Sequence, residues 1–290
     1  MSRMKEPVVR HSPSRGARSP DVWGIYEPDT GSCQYICADP ATRKAALIDV
    51  VWNFDPKSYR TGTASMDQVL DLVAEHGLTV EWVLDTHPHA DHLMASAQLK
   101  DRTGAPNAIG ARVREIAELW CEFYNTPGAL DPDRDFDRLF ADGETFAIGA
   151  LEVRVMLSPG HTLGSITFVA GDAGFVHDTL MYPDSGTSRT DFPGADAGQL
   201  WDSIQAILAL PDDTRLFIGH DYGSDGRAEP MWEASAAEHR ASNKHVHDGA
   251  DRDDWIRIRR ERDATLGLPH SDARRAADQP ARRPPAPGRG

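Results

Sequence analysis

One short segment constrains this chain more than any other. The apolar run Val80-Glu81-Trp82-Val83-Leu84 leads straight into Thr86-His87-Pro88-His89-Ala90-Asp91-His92. The run reads as a strand, and residues two apart at a strand end point the same way, so His87 and His89 can face one point. Asp91 and His92 then fall near the start of the next element, expected to be a helix, where a carboxylate is favoured by the helix dipole. Three imidazoles and a carboxylate within six residues are costly to gather unless a cation organises them.

Further donors follow in the same style. Ser158-Pro159-Gly160-His161-Thr162 sets a histidine on a glycine-containing turn after a strand. Phe175-Val176-His177-Asp178-Thr179 ends a second strand on a carboxylate, and Leu216-Phe217-Ile218-Gly219-His220-Asp221 ends a third on a histidine. Each donor sits where a strand gives way to a loop, an arrangement that collects side chains at one rim of a sheet.

The remaining pattern predicts a layered α/β or α+β chain. Gln34–Cys37 and Ala45–Asp49 flank a turn at Asp39-Pro40-Ala41-Thr42 and read as a hairpin. Met66, Val69, Leu70 and Val73 share a helix face, with Ser65 and Gln68 spaced as a capping box and Gly77 as a stop. Helices are also expected at about 111–125 and 199–209, and strands at about 151–157, 164–170 and 215–218. After residue 230 the pattern is helical to about 265. The divisions expected are a disordered tail over 1–20, a catalytic domain over 21–247, a packed helix over 248–269 and a disordered Ala/Arg/Pro-rich tail over 270–290.

Charge narrows the function classes. The net charge of −14 hides basic ends: residues 1–20 carry +4, residues 271–290 carry +3, and the rest −21. So acidic a body repels phosphate backbones and argues against nucleic-acid binding. No apolar run reaches the ~20 residues of a membrane helix, and the first residues lack the apolar stretch of a signal peptide. Three cysteines, Cys33, Cys37 and Cys121, make no disulfide scaffold. A soluble, cytoplasmic protein is expected.

His87-x-His89-x-Asp91-His92 followed by His161, Asp178 and His220 resembles the ligand series of the metallo-β-lactamase superfamily. The resemblance implies an αββα sandwich with a metal at one edge. Within that superfamily, Arg189-Thr190-Asp191-Phe192 and Gly219-His220-Asp221-Tyr222 resemble the persulfide dioxygenases. Phe54-Asp55-Pro56-Lys57-Ser58 and Arg262-Asp263-Ala264-Thr265-Leu266 resemble their bacterial branch, labelled β-lactamase-like hydrolases.

That likeness implies oxidation of glutathione persulfide by O2 at one Fe(II) held by His87, His161 and Asp178, a set that leaves open coordination positions. His89, Asp91, His92 and His220 would then orient the ligands, with Tyr222, His220 and Asp91 acting at the reacting groups. The same residues also suit a hydrolase of thioesters or lactones of glyoxalase II type. There His87, His89 and His161 would hold one Zn(II), Asp91, His92 and His220 a second, and Asp178 would bridge. The substrate of the dioxygenase reading carries two carboxylates. Arg189 is the first candidate to meet them, followed by Arg240 and Lys244, whose plainer reading is a solvated helix face. The resemblance leaves room for a homodimer. His177 departs from the family pattern, which often has glycine there, and so does the tail beyond Pro269.

Overall fold

In the computed structural model, residues 8–89, 91–224 and 226–266 are described. The chain opens with β1 (Val8–Ser12), β2 (Asp21–Glu27), β3 (Ser32–Ala38), β4 (Lys44–Ile48), β5 (Val51–Asp55) and β6 (Arg60–Gly62). Then come α1 (Ala64–Glu75), β7 (Thr79–Leu84), β8 (Leu93–Met94), α2 (Ser96–Thr103), β9 (Asn107–Gly110), α3 (Val113–Phe123), α4 (Pro132–Asp135) and β10 (Arg138–Phe140). The second half contains β11 (Thr145–Ile148), β12 (Leu151–Leu157), β13 (Ile166–Ala170), β14 (Ala173–His177), α5 (Ala197–Leu208), β15 (Arg215–Ile218), β16 (Glu233–Ser235), α6 (Ala236–Ser242) and α7 (Arg252–Asp263).

Two sheets dominate. One has the order β1-β2-β3-β4-β7-β9-β10, the other β11-β12-β13-β14-β15-β16, and a small ribbon joins β6, β5 and β8. In the first sheet β1 to β4 are antiparallel, whereas β4, β7, β9 and β10 run parallel. Strand alternation divides the side chains of β3 and β4 between two layers. Ile36, Ala45 and Leu47 pack outward with Met66, Val69 and Val73 of α1 and Leu99 of α2. Tyr35, Cys37, Ala46 and Ile48 pack inward with Phe168 and Phe175 of the second sheet, in the core that also takes Leu200, Ile204 and Ile207 of α5. The result is αββα. Cys33 and Cys37 are buried free thiols of this core, and burial pushes Cys37 up to about 12.

Three expectations need correction. Residues 8–20 are not a disordered tail: β1 pairs with β2 from Val8↔Tyr26 to Ser12↔Val22. An edge strand is held by its backbone ladder, so its side chains need no apolar pattern, and composition misreads it. The first sheet thus begins before residue 21, while residues 1–7 and the expected tail at 270–290 fall outside the described residues. The stretch after 230 is not one helix but β16, α6 and, after a break, α7. Lastly, Ser65 caps nothing: Thr63 is the N-cap of α1 and makes no side-chain cap bond, while Asn53 accepts from Ser65 N at 2.8 Å and donates to its hydroxyl at 2.9 Å. Among the described residues no helix is long and apolar enough to cross a membrane.

Candidate metal centre

The ends of β4, β7, β14 and β15, with the turn after β12, meet at one rim. The first fastening is Asp49, directly after β4. Its carboxylate accepts from Thr86 N at 2.8 Å and Thr86 Oγ1 at 2.7 Å, and faces His89 Nε2 at 3.2 Å. Burial alone would raise this acid, but the bonds from His89 and Thr86 outweigh it and hold it below the ordinary value. Asp49 therefore pins the turn that carries His87 and His89.

The opposite side of the rim depends on close backbone approach. A Cβ at Gly219 would stand 2.4 Å from Asp178 Oδ1, and one at Gly160 would stand 2.2 Å from Leu200 N, where Gly160 has φ +132°. Glycine at both positions lets Asp178 and the His161 turn enter. The residue before Asp178, His177, has φ 37°. Its Nδ1 accepts from Asp178 N at 2.5 Å and its ring lies 4.6 Å from that of His87. It thus braces the acid from behind.

Asp178 divides its two oxygens. Oδ2 lies 3.6 Å from His87 Nε2 and 3.6 Å from His161 Nε2. Oδ1 accepts from His220 Nδ1 at 2.6 Å, and the other nitrogen of His220 faces Asp91 Oδ2 at 2.5 Å and Ser32 Oγ at 3.0 Å. The His87 and His89 rings lie 4.1 Å apart, as do those of His89 and His92. Two sets of donor atoms fall within 4.8 Å of one another: His87, His89 and Asp178, and His89, Asp91, His92 and His220.

The ionisation of the set is divided. Burial, then neighbouring imidazoles, pushes His87 well down, and burial with His89 takes His92 down to about 3. These rings are neutral and offer lone pairs. Burial would raise Asp178, yet His220 and the other imidazoles hold it well below the usual carboxylate range. Burial would lower His220, but Asp178 and Asp91 hold it well above its ordinary value. Neutral His87 and His92 beside ionised Asp178 are in the protonation state that metal binding needs, whereas His89, raised by Asp49 against its burial, and His220 are shifted toward the protonated form.

Not every expected residue reaches the rim. Tyr222 does: its ring stacks on His220 at 5.6 Å and 10° and is 67% exposed. Arg189 touches the site through its backbone, because its carbonyl lies 3.0 Å from His161 Nδ1. Its guanidinium is bidentate to Asp191 at 2.5 Å on both arms and lies 5.0 Å over Phe192, whose ring meets His161 edge-on. Arg240 pairs with Asp212 and the Leu208 carbonyl, at the end of β15 away from His220. The cause is topological: β16 runs antiparallel to β15, so α6 starts beside Thr214. Lys244 is exposed, and its backbone N–H donates to Pro183 at 2.8 Å. Sequence reasoning missed Asp49, Thr86 and Ser32. Asp49 had a legible signal, since it ends an apolar strand on a carboxylate as Asp178 does.

The comparisons agree with this fold. The family model of the metallo-β-lactamase superfamily matches residues 29–220. A β-lactamase hydrolase-like protein of Agrobacterium fabrum is 53% identical over 88% of this chain and 59% of its own length. The chain thus spans about three-fifths of that relative. Glyoxylase B2 of Dictyostelium discoideum is 39% identical over 86% of this chain and 85% of its own. The crystal structure of ETHE1 from Myxococcus xanthus superposes with a TM-score of 0.70 at 29% identity, covering 94% of this chain and 98% of that one. The human ETHE1, a mitochondrial persulfide dioxygenase, is 29% identical over 68% of this chain and 67% of its own. Fold, rim and sequence together place this chain in the metallo-β-lactamase superfamily.

Proposed function

We propose that the chain is a mononuclear non-haem iron dioxygenase that converts glutathione persulfide, O2 and water into glutathione, sulfite and two protons. The observation that carries this reading is the split of Asp178. One oxygen faces His87 and His161, while the other accepts from His220, whose second nitrogen faces Asp91 and Ser32. On this reading His220 is a partner of a ligand rather than a ligand. The likeness to ETHE1 over most of both chains supports the same choice.

Fe(II) held by His87, His161 and Asp178 would supply one-electron chemistry with O2 at open coordination positions. The chain's own groups set the donors. Thr86 Oγ1 lies 3.1 Å from His87 Nδ1 and the Arg189 carbonyl 3.0 Å from His161 Nδ1, which turns each Nε2 toward Asp178. Tyr222, exposed beside His220, offers a phenol to orient the persulfide at the mouth. Arg189 would meet a glutathione carboxylate only by releasing Asp191.

A second reading is a dinuclear zinc hydrolase of thioesters or lactones. It is favoured by the donor group His89, Asp91, His92 and His220, which shares no residue with the iron set, and by the likeness to a glyoxylase-named relative. The two separate cleanly. Protein loaded anaerobically with Fe(II) is expected to take up O2 with glutathione persulfide and to release sulfite. An inert iron form beside a zinc form that hydrolyses a glutathione thioester would reject the dioxygenase.

A further inference from the structure

Helix α7 reaches the rim through a peptide group that it shares with His161. The peptide between Arg189 and Thr190 is bonded at both edges. Its carbonyl accepts from His161 Nδ1 at 3.0 Å, and its N–H donates to Asp263 Oδ2 at 2.8 Å. The Thr190 hydroxyl donates to the same oxygen at 2.9 Å. Asp263 is the last residue of α7, 5% exposed, and is paired with Arg259 one turn earlier, 4% exposed. Arg259 in turn donates to the Thr187 carbonyl at 3.3 Å. The helix therefore grips the segment 187–190 at two points. It is itself seated on α5 by Trp255 against Trp201, at 5.5 Å, and by Arg252 with Asp202, at 3.3 Å.

We infer that Asp263 is a positioning residue for His161, acting through the 189–190 peptide. A carbonyl oxygen can only accept, so the proton of His161 sits on Nδ1 and the lone pair of Nε2 faces Asp178. An ionised carboxylate on the N–H edge polarises the peptide and makes its carbonyl a stronger acceptor, because hydrogen bonds in series strengthen one another in a poorly polarisable interior. The effect resembles a carboxylate bonded directly to a ligating imidazole, with one peptide inserted between them. It also means that the His161 arm of the rim is completed only when α7 is docked, with Asp263 lying 102 residues beyond His161 in a chain of 290. The inference rests on His161 being a ligand, as proposed above, and not on which reaction the site performs.

The test uses the full chain with Co(II) as the probe. Asp263→Asn removes the charge but strands buried Arg259, so the double variant R259M/D263N, which removes both charges, is made beside it. In whichever variant folds, the Co(II) dissociation constant is expected to rise roughly 10- to 100-fold, with a changed visible spectrum. In the metal-free protein the His161 Nδ1–H resonance should move or exchange faster. Thr190→Ser, which keeps both bonds to Asp263, should behave as wild type. Folded R259M/D263N with unchanged Co(II) affinity, spectrum and His161 resonance would overturn the inference, leaving Asp263 a packing residue. A His161→Ala protein that binds Co(II) as tightly as wild type would instead overturn the ligand assignment beneath it.

Discussion

Strand β15 carries a buried polar cluster at each end, and the two clusters are closed differently. At its start Arg215, 1% exposed, donates to Asp172 at 2.8 Å, to the Pro20 carbonyl at 3.0 Å, and to Ser12 and Ser19 hydroxyls at 2.9 and 3.1 Å. Just past its other end, Asp178 and Asp91 have the imidazole of His220 between them. A guanidinium holds its charge at every pH the protein meets, so the first cluster is a lock between β15 and the N-terminal strand. An imidazole can surrender a proton and offer a lone pair, so the second is open to protons and metals. The comparison teaches that burial and charge alone do not mark a functional site. What marks it is a cluster whose cation can be exchanged.

The sharpest break of this contrast is Asp178→Ala. It should abolish metal retention, exceeding the roughly 10- to 100-fold that an outer partner costs, as read by metal per chain after desalting. Retained metal would remove Asp178 from the ligand set. Next in size is Arg215→Met at the other end. Leaving Asp172 without its cation should cost about 3 kcal/mol of unfolding free energy, toward the low end for a broken buried pair because Asp172 is 21% exposed. Metal content should not change; a parallel loss of metal would mean that the two ends are coupled.

A smaller effect is expected for His220→Ala. Most metal should stay and turnover should fall roughly 10- to 100-fold. Metal loss equal to that of Asp178→Ala would favour the two-metal hydrolase. The mildest test lies off both clusters, at His239 in α6. Burial pushes it down to about 4, despite Glu238 beside it, and its Nδ1 lies 3.1 Å from Asn243 Nδ2. In the fold it stays neutral, whereas the unfolded chain takes up the proton as pH drops below about 6.5. Stability therefore declines from about pH 6.5 toward pH 4, by on the order of 1–2 kcal/mol at pH 5. Denaturant titrations of His239→Gln should show a shallower decline over that window; an identical slope would clear His239 of the effect.

Much of the rim was legible because its donors are local events, each a polar residue closing an apolar strand. His87, His89, His161, Asp178 and His220 announce themselves that way, and β12 and β15 were readable to the residue. The placement of the arginines expected to meet substrate was not. Arg189 looked free on a loop, yet Asp191 two residues on takes its fork. Arg240 looked close to His220 in sequence, but the antiparallel return of β16 carries α6 to the opposite end of the sheet. Spacing along a chain does not say which end of a strand a helix will meet.

By itself the sequence determined the strand-end placement of the rim histidines and of Asp178 and the layered class, because side-chain alternation and turn residues are read within a few positions. Only the tertiary structure decided that β1 is an edge strand, that Arg215 locks it, that His87 and His161 turn Nε2 to Asp178, and that α7 grips the peptide behind His161. Those outcomes depend on contacts between residues tens to about two hundred positions apart, and no local pattern records which distant partner a backbone carbonyl or a guanidinium will find.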